Sequence, residues 1–154
     1  AVRLHLVGPS LQRWTVDRTK GDIRREVIDV APQALGRSNP DAVRGPRYLY
    51  TVAASGLVAF CGTEIHKHDL GAHTRQTRDF GPRRHPGEFL FVGDPERHGR
   101  EDGGWLLGLV HDDASDRDDF VILDAEDLHR PAVATVHVPR RIPYGLHGTW
   151  IPTP

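Results

Sequence analysis

Short segments in which apolar and polar residues alternate recur along this chain and are separated by turn-forming residues. Alternation with a period of two marks residues 1–7 and 11–17, and further segments rich in strand-forming residues cover 23–28, 47–53 and 56–60. Successive side chains of a β-strand point to opposite faces, so this pattern predicts strands with one buried face. No stretch of a dozen residues has helical periodicity. The pattern therefore predicts an all-β protein.

The second half of the chain continues the pattern. Strands are predicted over 63–69 and 88–92, and three more over 105–110, 120–123 and 132–138 follow one another with turns between them. The stretch 32–46 carries glycine and proline pairs, 71–84 is polar and 94–104 is charged, and all three are predicted as loops. Four-stranded antiparallel meanders repeated around an axis form a β-propeller. A propeller is therefore a fold that this order of elements allows.

Composition narrows the functional classes. The net charge is -1 with 27% charged residues, so there is no broad basic field to hold nucleic acid. The longest apolar runs are too short to cross a bilayer. The single cysteine, Cys61, is predicted to be a small buried hydrophobe. The chain contains no methionine, and we expect it to be a piece of a longer polypeptide.

Two candidate residues carry chemistry. His147 lies between Gly145 and Gly148 close to the carboxyl end, and a period of two would place it on one face with Thr149. Such a histidine is either a surface turn residue or a metal ligand. Glu88 begins an apolar strand and is either a surface carboxylate in an ion pair or a hydrogen-bond partner of a histidine.

A second histidine pattern has an ordinary explanation. His66 and His68 share one face of a predicted strand, and a His-x-His pair of this kind can chelate a metal. A polar strand edge facing solvent is the interpretation that we prefer, so both side chains are predicted to be exposed.

Four motifs, taken in order, resemble the carotenoid cleavage oxygenases, a family that includes lignostilbene dioxygenases and the retinoid isomerohydrolase. Residues 143–148 read Pro-Tyr-Gly-Leu-His-Gly, where the family has phenylalanine at the fourth position. Residues 101–107 resemble its Glu-Asp-Asp-Gly-Trp-Leu-Leu segment, with glycine in place of the second aspartate. Residues 86–92 resemble its Gly-Glu-Pro-x-Phe-Val-Pro segment, without that segment's prolines. Residues 123–134 resemble its penultimate hairpin.

The resemblance implies a fold and a metal site. The family fold is a seven-bladed β-propeller with iron on its axis, and residues 1–154 would form a C-terminal arc of about two to three blades of that single domain. The family's Fe(II) is held by four histidines. By the resemblance, His147 is the one of them that lies in this chain, and Glu88 accepts a hydrogen bond from its outer ring nitrogen.

The implied activity is that of a non-haem Fe(II)-dependent dioxygenase. It would use O2 to cleave a carbon–carbon double bond of an apolar carotenoid, apocarotenoid or stilbene, and this piece alone would be inactive. Isomerisation in place of cleavage stays open, as does peripheral membrane contact. We expect a cytoplasmic protein that does not bind nucleic acid.

One departure from the family supports a different class of function. Where the family has a glutamate that is thought to orient another iron-bound histidine, this chain has Ala34, followed by Leu35, Gly36 and Arg37. Loss of such an outer carboxylate costs about 10–100-fold in metal affinity or activity. The alternative function is therefore a non-catalytic β-propeller that serves as a binding scaffold.

Overall fold

The computed structural model describes residues 9–42, 45–55 and 62–152. The strands predicted over 1–7 and 56–60, and the predicted burial of Cys61, lie outside these residues. The described part contains ten strands and one short 3-10 turn, Pro95–Arg97, and no α-helix. The strands are β1 (Leu11–Asp17), β2 (Asp22–Asp29), β3 (Gln33–Arg37), β4 (Tyr48–Ala53), β5 (Glu64–Asp69), β6 (Thr74–Asp79), β7 (Arg84–Gly93), β8 (Gly104–Asp112), β9 (Arg117–Asp124) and β10 (Ala134–Val138).

The strands form three antiparallel sheets. β1 and β2 form a hairpin, β3 to β6 form a four-stranded meander, and β7 to β10 form a second four-stranded meander. The two meanders have the organisation of propeller blades, in which each strand pairs with its neighbour in sequence. The predicted all-β fold and the propeller arc of about two to three blades are confirmed.

Two segments that were predicted as loops are strands. β3 lies within 32–46, and its sequence of Gln, Ala, Leu, Gly and Arg contains no β-branched residue. It becomes a strand because β4, which is strongly strand-forming, pairs with it. β6 lies within 71–84 and is almost entirely polar because it is the edge strand of its sheet. Both loop predictions were wrong because these strands form by pairing with a neighbouring strand, and the periodicity of a segment does not predict that pairing.

The core lies between the two four-stranded sheets. The Tyr50 and Phe91 rings stack across the interface with their centroids 6.0 Å apart, and the Tyr50 hydroxyl donates to the carbonyl of Ala125 at 3.0 Å. Gly108 lies opposite Phe89, and a Cβ at that position would be 2.6 Å from the Phe89 ring. The ring therefore occupies the space that a side chain would need. The buried apolar cluster consists of Tyr50, Val52, Ile65, Phe89, Phe91, Leu106, Val110, Val121, Leu123, Ala125 and Leu128.

The loop between β7 and β8 joins the second four-stranded sheet (β7 to β10) to the first four-stranded sheet (β3 to β6). A carboxylate oxygen of Glu101 accepts hydrogen bonds from the backbone N–H groups of Arg47 and Tyr48, at 2.6 and 2.9 Å. Asp102 accepts from the ammonium group of Lys67 at 2.6 Å. Both acidic residues therefore join the two sheets and have a structural role within the loop that the sequence predicts over 94–104.

None of the described residues belongs to a helix that is long and apolar enough to cross a membrane.

Candidate functional site

Glu88 lies on β7 at a β-bulge that faces the sheet formed by β3 to β6. The pairing of β7 with β8 shifts between Pro86 and Phe89, so that Gly87 and Glu88 together lie opposite Leu109. A bulge bends its strand and changes the direction of the side chains in it. The Glu88 side chain is 7% exposed, which excludes the interpretation of Glu88 as a surface carboxylate in a solvated ion pair.

Four hydrogen bonds satisfy this buried carboxylate. Oε1 accepts from Nε of Arg37 at 2.7 Å and from Nδ1 of His147 at 3.0 Å. Oε2 accepts from Nη2 of Arg37 at 2.9 Å and from the backbone N–H of Gly148 at 2.8 Å. A buried charge is stable only when it is paired and hydrogen-bonded, and Glu88 meets both conditions.

The surroundings of Glu88 determine its protonation. Burial alone would raise the pKa of this carboxyl group, but the hydrogen bonds from Arg37, His147 and the Gly148 N–H outweigh burial and hold the pKa below its usual value. The hydrogen bonds to Glu88 likewise raise the pKa of Arg37. Glu88 is therefore a carboxylate at neutral pH and can only accept hydrogen bonds.

The His147 imidazole is oriented by Glu88. Because the carboxylate accepts, Nδ1 of His147 carries a proton, and in the Nδ1–H tautomer the lone pair lies on Nε2. The His147 side chain is 69% exposed, and among the described residues Nε2 has no hydrogen-bond partner. An imidazole held in this way can bind a metal ion through Nε2.

The backbone around His147 differs from the prediction. Residues 142–152 form no strand in the part of the chain that the structure describes, so the expected alternation with Gly145 and Thr149 on one face is wrong. The segment is positioned instead by hydrogen bonds at Gly148, whose carbonyl accepts from Arg37 at 3.3 Å. A Cβ at position 148 would lie 3.2 Å from the side chain of Leu90, so a larger residue there would require Leu90 to shift.

A small cavity borders the imidazole. It has a volume of ≈ 220 Å³ and lies between the C-terminal segment and the second sheet. Leucine side chains contribute apolar surface to its wall, and the polar groups in the wall come from His85, Glu88, His111, Asp118 and His147.

The described residues do not complete a metal site at this place. No group of three or more His, Cys, Asp or Glu side chains within 9–42, 45–55 and 62–152 has the geometry to hold a metal ion. A metal ion bound at Nε2 of His147 would therefore need further ligands from outside the described residues.

Arg37 is the member of this cluster to which sequence reasoning gave no role. It lies at the end of β3, and the predicted departure at Ala34 lies three residues before it on the same strand. A methyl group at Ala34 offers no hydrogen bond to a metal ligand. The signal that could have identified Arg37 is the predicted strand that contains Glu88, because a carboxylate that is buried in a sheet requires a cation as its partner.

The His66 and His68 pair is buried, with relative exposures of 2% and 3%. The prediction that these histidines face solvent was wrong. Nε2 of His68 lies 2.7 Å from Oε1 of Gln33 and 3.2 Å from the hydroxyl of Thr51, and Nδ1 of His66 lies 3.0 Å from the hydroxyl of Thr77. The pair is held by neutral hydrogen-bonding groups within its own sheet.

Burial of these two histidines makes the stability of the protein depend on pH. It lowers the pKa of His68 to about 4, and burial lowers the pKa of His66 as well. The ring of His68 is therefore neutral in the folded protein, whereas in the unfolded chain a histidine takes up a proton near pH 6.5.

We expect the stability of the protein to fall as the pH decreases from about 6.5 to about 4, because the unfolded chain then binds a proton that folded His68 does not. The loss from His68 should reach about 3 kcal/mol, and urea unfolding as a function of pH measures it. His68→Gln should remove this part of the pH dependence, while His129→Gln at an exposed turn should not. An unchanged slope in His68→Gln would contradict the prediction.

The described residues form an antiparallel β-propeller arc in which a histidine donates a hydrogen bond to a buried glutamate, and comparison with known proteins specifies the family. The model of the retinal pigment epithelial membrane protein family matches residues 5–152. The carotenoid cleavage oxygenase of Mycobacterium tuberculosis (strain CDC 1551 / Oshkosh) is 36% identical over 94% of this chain and 30% of its own length. The apocarotenoid-15,15'-oxygenase of Synechocystis is 35% identical over 93% of this chain and 29% of its own length.

Structural comparison agrees with the sequence matches. The crystal structure of the cobalt-substituted Synechocystis enzyme superposes with a TM-score of 0.87 at 33% identity, over 95% of this chain and 31% of that one. The chain belongs to the carotenoid cleavage oxygenase family. It spans about a third of the length of the curated relatives that it matches.

Proposed function

We propose that this chain is the C-terminal part of a non-haem Fe(II)-dependent dioxygenase that cleaves a carbon–carbon double bond of a carotenoid, an apocarotenoid or a stilbene with O2. The observation that carries the proposal is the hydrogen bond of 3.0 Å between Nδ1 of His147 and the buried carboxylate of Glu88. Both residues lie at the positions where the family motifs have an iron-binding histidine and its outer partner.

The residues of this chain have distinct parts in the proposed reaction. Glu88 fixes the tautomer and the direction of the His147 ring, so that Nε2 points away from the carboxylate and toward the metal. The leucine side chains beside the imidazole offer an apolar wall that suits a hydrocarbon chain better than a polar substrate. When bound, Fe(II) would supply the chemistry that activates O2. The other iron ligands would come from the rest of the protein.

A non-catalytic propeller that serves as a binding scaffold is the second candidate. Ala34 favours it, because the family's glutamate at that position is absent. The two functions differ in whether the protein binds iron and turns over O2.

The complete protein, loaded with Fe(II) in the presence of O2, is expected to bleach a carotenoid or apocarotenoid substrate. Cleavage of one double bond consumes one O2 and yields two carbonyl products, each with one oxygen atom from O2. Absorbance of the polyene, mass spectrometry of the products and labelling with 18O2 measure this outcome. A protein that binds polyenes but consumes no O2 and holds no iron would instead be a scaffold.

A further inference from the structure

The Glu88 carboxylate depends on Arg37 for half of its hydrogen bonds. The guanidinium donates one bond to each carboxylate oxygen, at 2.7 and 2.9 Å, and so forms a planar two-point contact. Arg37 is also the cation paired with this carboxylate. Its Nη2 reaches the Gly148 carbonyl at 3.3 Å, next to His147.

The contact is built by two β-bulges that face each other. In β3 the pairing with β4 shifts between Ala34 and Arg37, and Leu35 adopts a φ of 53°, a conformation unusual for a side chain of this kind. In β7 the shift falls at Gly87 and Glu88. Each bulge turns a polar side chain toward the neighbouring sheet, and the two side chains meet.

The His147 ring has little else to hold it. It is largely exposed and lies in a segment without regular secondary structure, and among the described residues Glu88 is its hydrogen-bond partner. The direction of the ring therefore depends on the direction of the Glu88 carboxylate. Without Arg37, the partners of the carboxylate would be His147 and Gly148, which both lie in this irregular segment, whereas the two-point contact with the guanidinium fixes the carboxylate to β3.

We infer that Arg37 is a positioning residue of the metal site: its guanidinium locks the Glu88 carboxylate, and the carboxylate in turn holds His147 in the Nδ1–H tautomer with Nε2 presented to the metal. This inference rests on the proposed function for its metal, but the tautomer of His147 depends only on the residues of this chain.

A second cluster of an arginine, a carboxylate and a histidine provides a matched control. Arg84 donates to Asp119 at 2.5 Å, and Asp119 accepts from Nδ1 of His137 at 2.6 Å. This cluster lies on β7, β9 and β10, and the family motifs assign no metal ligand to it. Arg84→Gln removes the same chemical group as Arg37→Gln without touching Glu88.

The first experiment titrates the metal-free complete protein with Co(II) and records the d–d spectrum. Arg37→Gln should weaken Co(II) binding by up to about 10–100-fold and change the spectrum, because Glu88, the outer partner of the ligand, is no longer held in place. Arg37→Lys keeps the charge without the fork and should fall between Arg37→Gln and wild type. Arg84→Gln should bind as wild type does. In a Glu88→Gln background, Arg37→Gln should add little further loss, since both changes interrupt one chain of contacts.

The inference would be overturned if Arg37→Gln bound Co(II) with wild-type affinity and spectrum. It would also be overturned if the losses from Arg37→Gln and Glu88→Gln were independent and additive. Arg37→Lys keeps the ion pair between the two sheets, and its fold can be checked by circular dichroism. Weaker Co(II) binding by a normally folded Arg37→Lys variant therefore reports the loss of the two-point contact.

The second experiment needs no metal. Nuclear magnetic resonance of the metal-free protein carrying 15N-histidine, with the His147 signal assigned from His147→Asn, reports which ring nitrogen bears the proton. Wild type should show the Nδ1–H form, and Arg37→Gln should show a mixture of both tautomers. If wild type bound no Co(II), the proposed function would fail, and this measurement would still decide the role of Arg37. An unchanged tautomer in Arg37→Gln would refute that role.

Discussion

Replacement of His147 by alanine in the complete protein is expected to abolish stoichiometric iron binding and, with it, oxidative cleavage. Loss of a residue that only supports a metal ligand costs about 10–100-fold, so loss of the ligand itself should exceed that range. The physical reason is that, under the proposed function, Nε2 of His147 would bind the metal, because Nδ1 is occupied by Glu88 at 3.0 Å. Metal analysis of purified protein, together with product formation, measures the effect.

His137 is the matched control for this substitution. Like His147 it is exposed, and its Nδ1 lies against a carboxylate, Asp119, that an arginine also contacts. His137→Ala should keep iron and activity near wild-type values. If His147→Ala retained iron and turnover, the assignment of His147 as a ligand would be refuted, and with it the part of this chain in the proposed site.

Asp102→Asn is expected to lower the free energy of unfolding by about 3–5 kcal/mol, because it leaves the buried ammonium group of Lys67 without its counter-charge. The Lys67 side chain is 4% exposed, and its Nζ lies 2.6 Å from Asp102. The ammonium group also donates to the carbonyl of Glu126 at 2.8 Å and lies 4.5 Å from the centre of the Tyr48 ring. Neither of these groups carries a compensating negative charge. Urea unfolding followed by tryptophan fluorescence and by circular dichroism measures the change.

Glu26→Gln makes the same acid-to-amide change at an exposed ion pair. Glu26 contacts Arg13 at 3.5 Å on the hairpin of β1 and β2, and both side chains are well exposed. A surface pair of this kind contributes about 0–1 kcal/mol. If Asp102→Asn destabilised the protein no more than Glu26→Gln, the Lys67 pair would not be what fastens the loop between β7 and β8 to the first sheet.

The sequence predicted most of the strands of this fold, because burial of one face leaves a period of two. β8, for example, alternates buried and half-buried residues from Gly104 onward, and its apolar residues identify it. β6 could not be found in this way, because it is polar on both faces and is a strand by virtue of its hydrogen-bonded ladder to β5. Edge strands of this kind follow from pairing, which composition does not encode.

The burial of the histidines of β5 likewise could not be predicted from the sequence. The polar residues of β5 favour a solvent-facing strand, yet His66, Lys67 and His68 are all buried, with partners supplied by β3, β4, β6 and the loop before β8. Polar side chains are buried when tertiary partners satisfy them, and those partners are distant in sequence.

The sequence by itself determined the strand pattern, the family motifs, and the two residues, Glu88 and His147, on which the proposed site depends. Only the tertiary structure decided that Glu88 is buried, that its carboxylate meets the His147 ring, and that Arg37 is the cation that accompanies it. The reason is physical: residues 51 and 59 positions away from Glu88 in the chain are brought to it by facing bulges and by backbone hydrogen bonds at Gly148, and local sequence carries no record of those contacts.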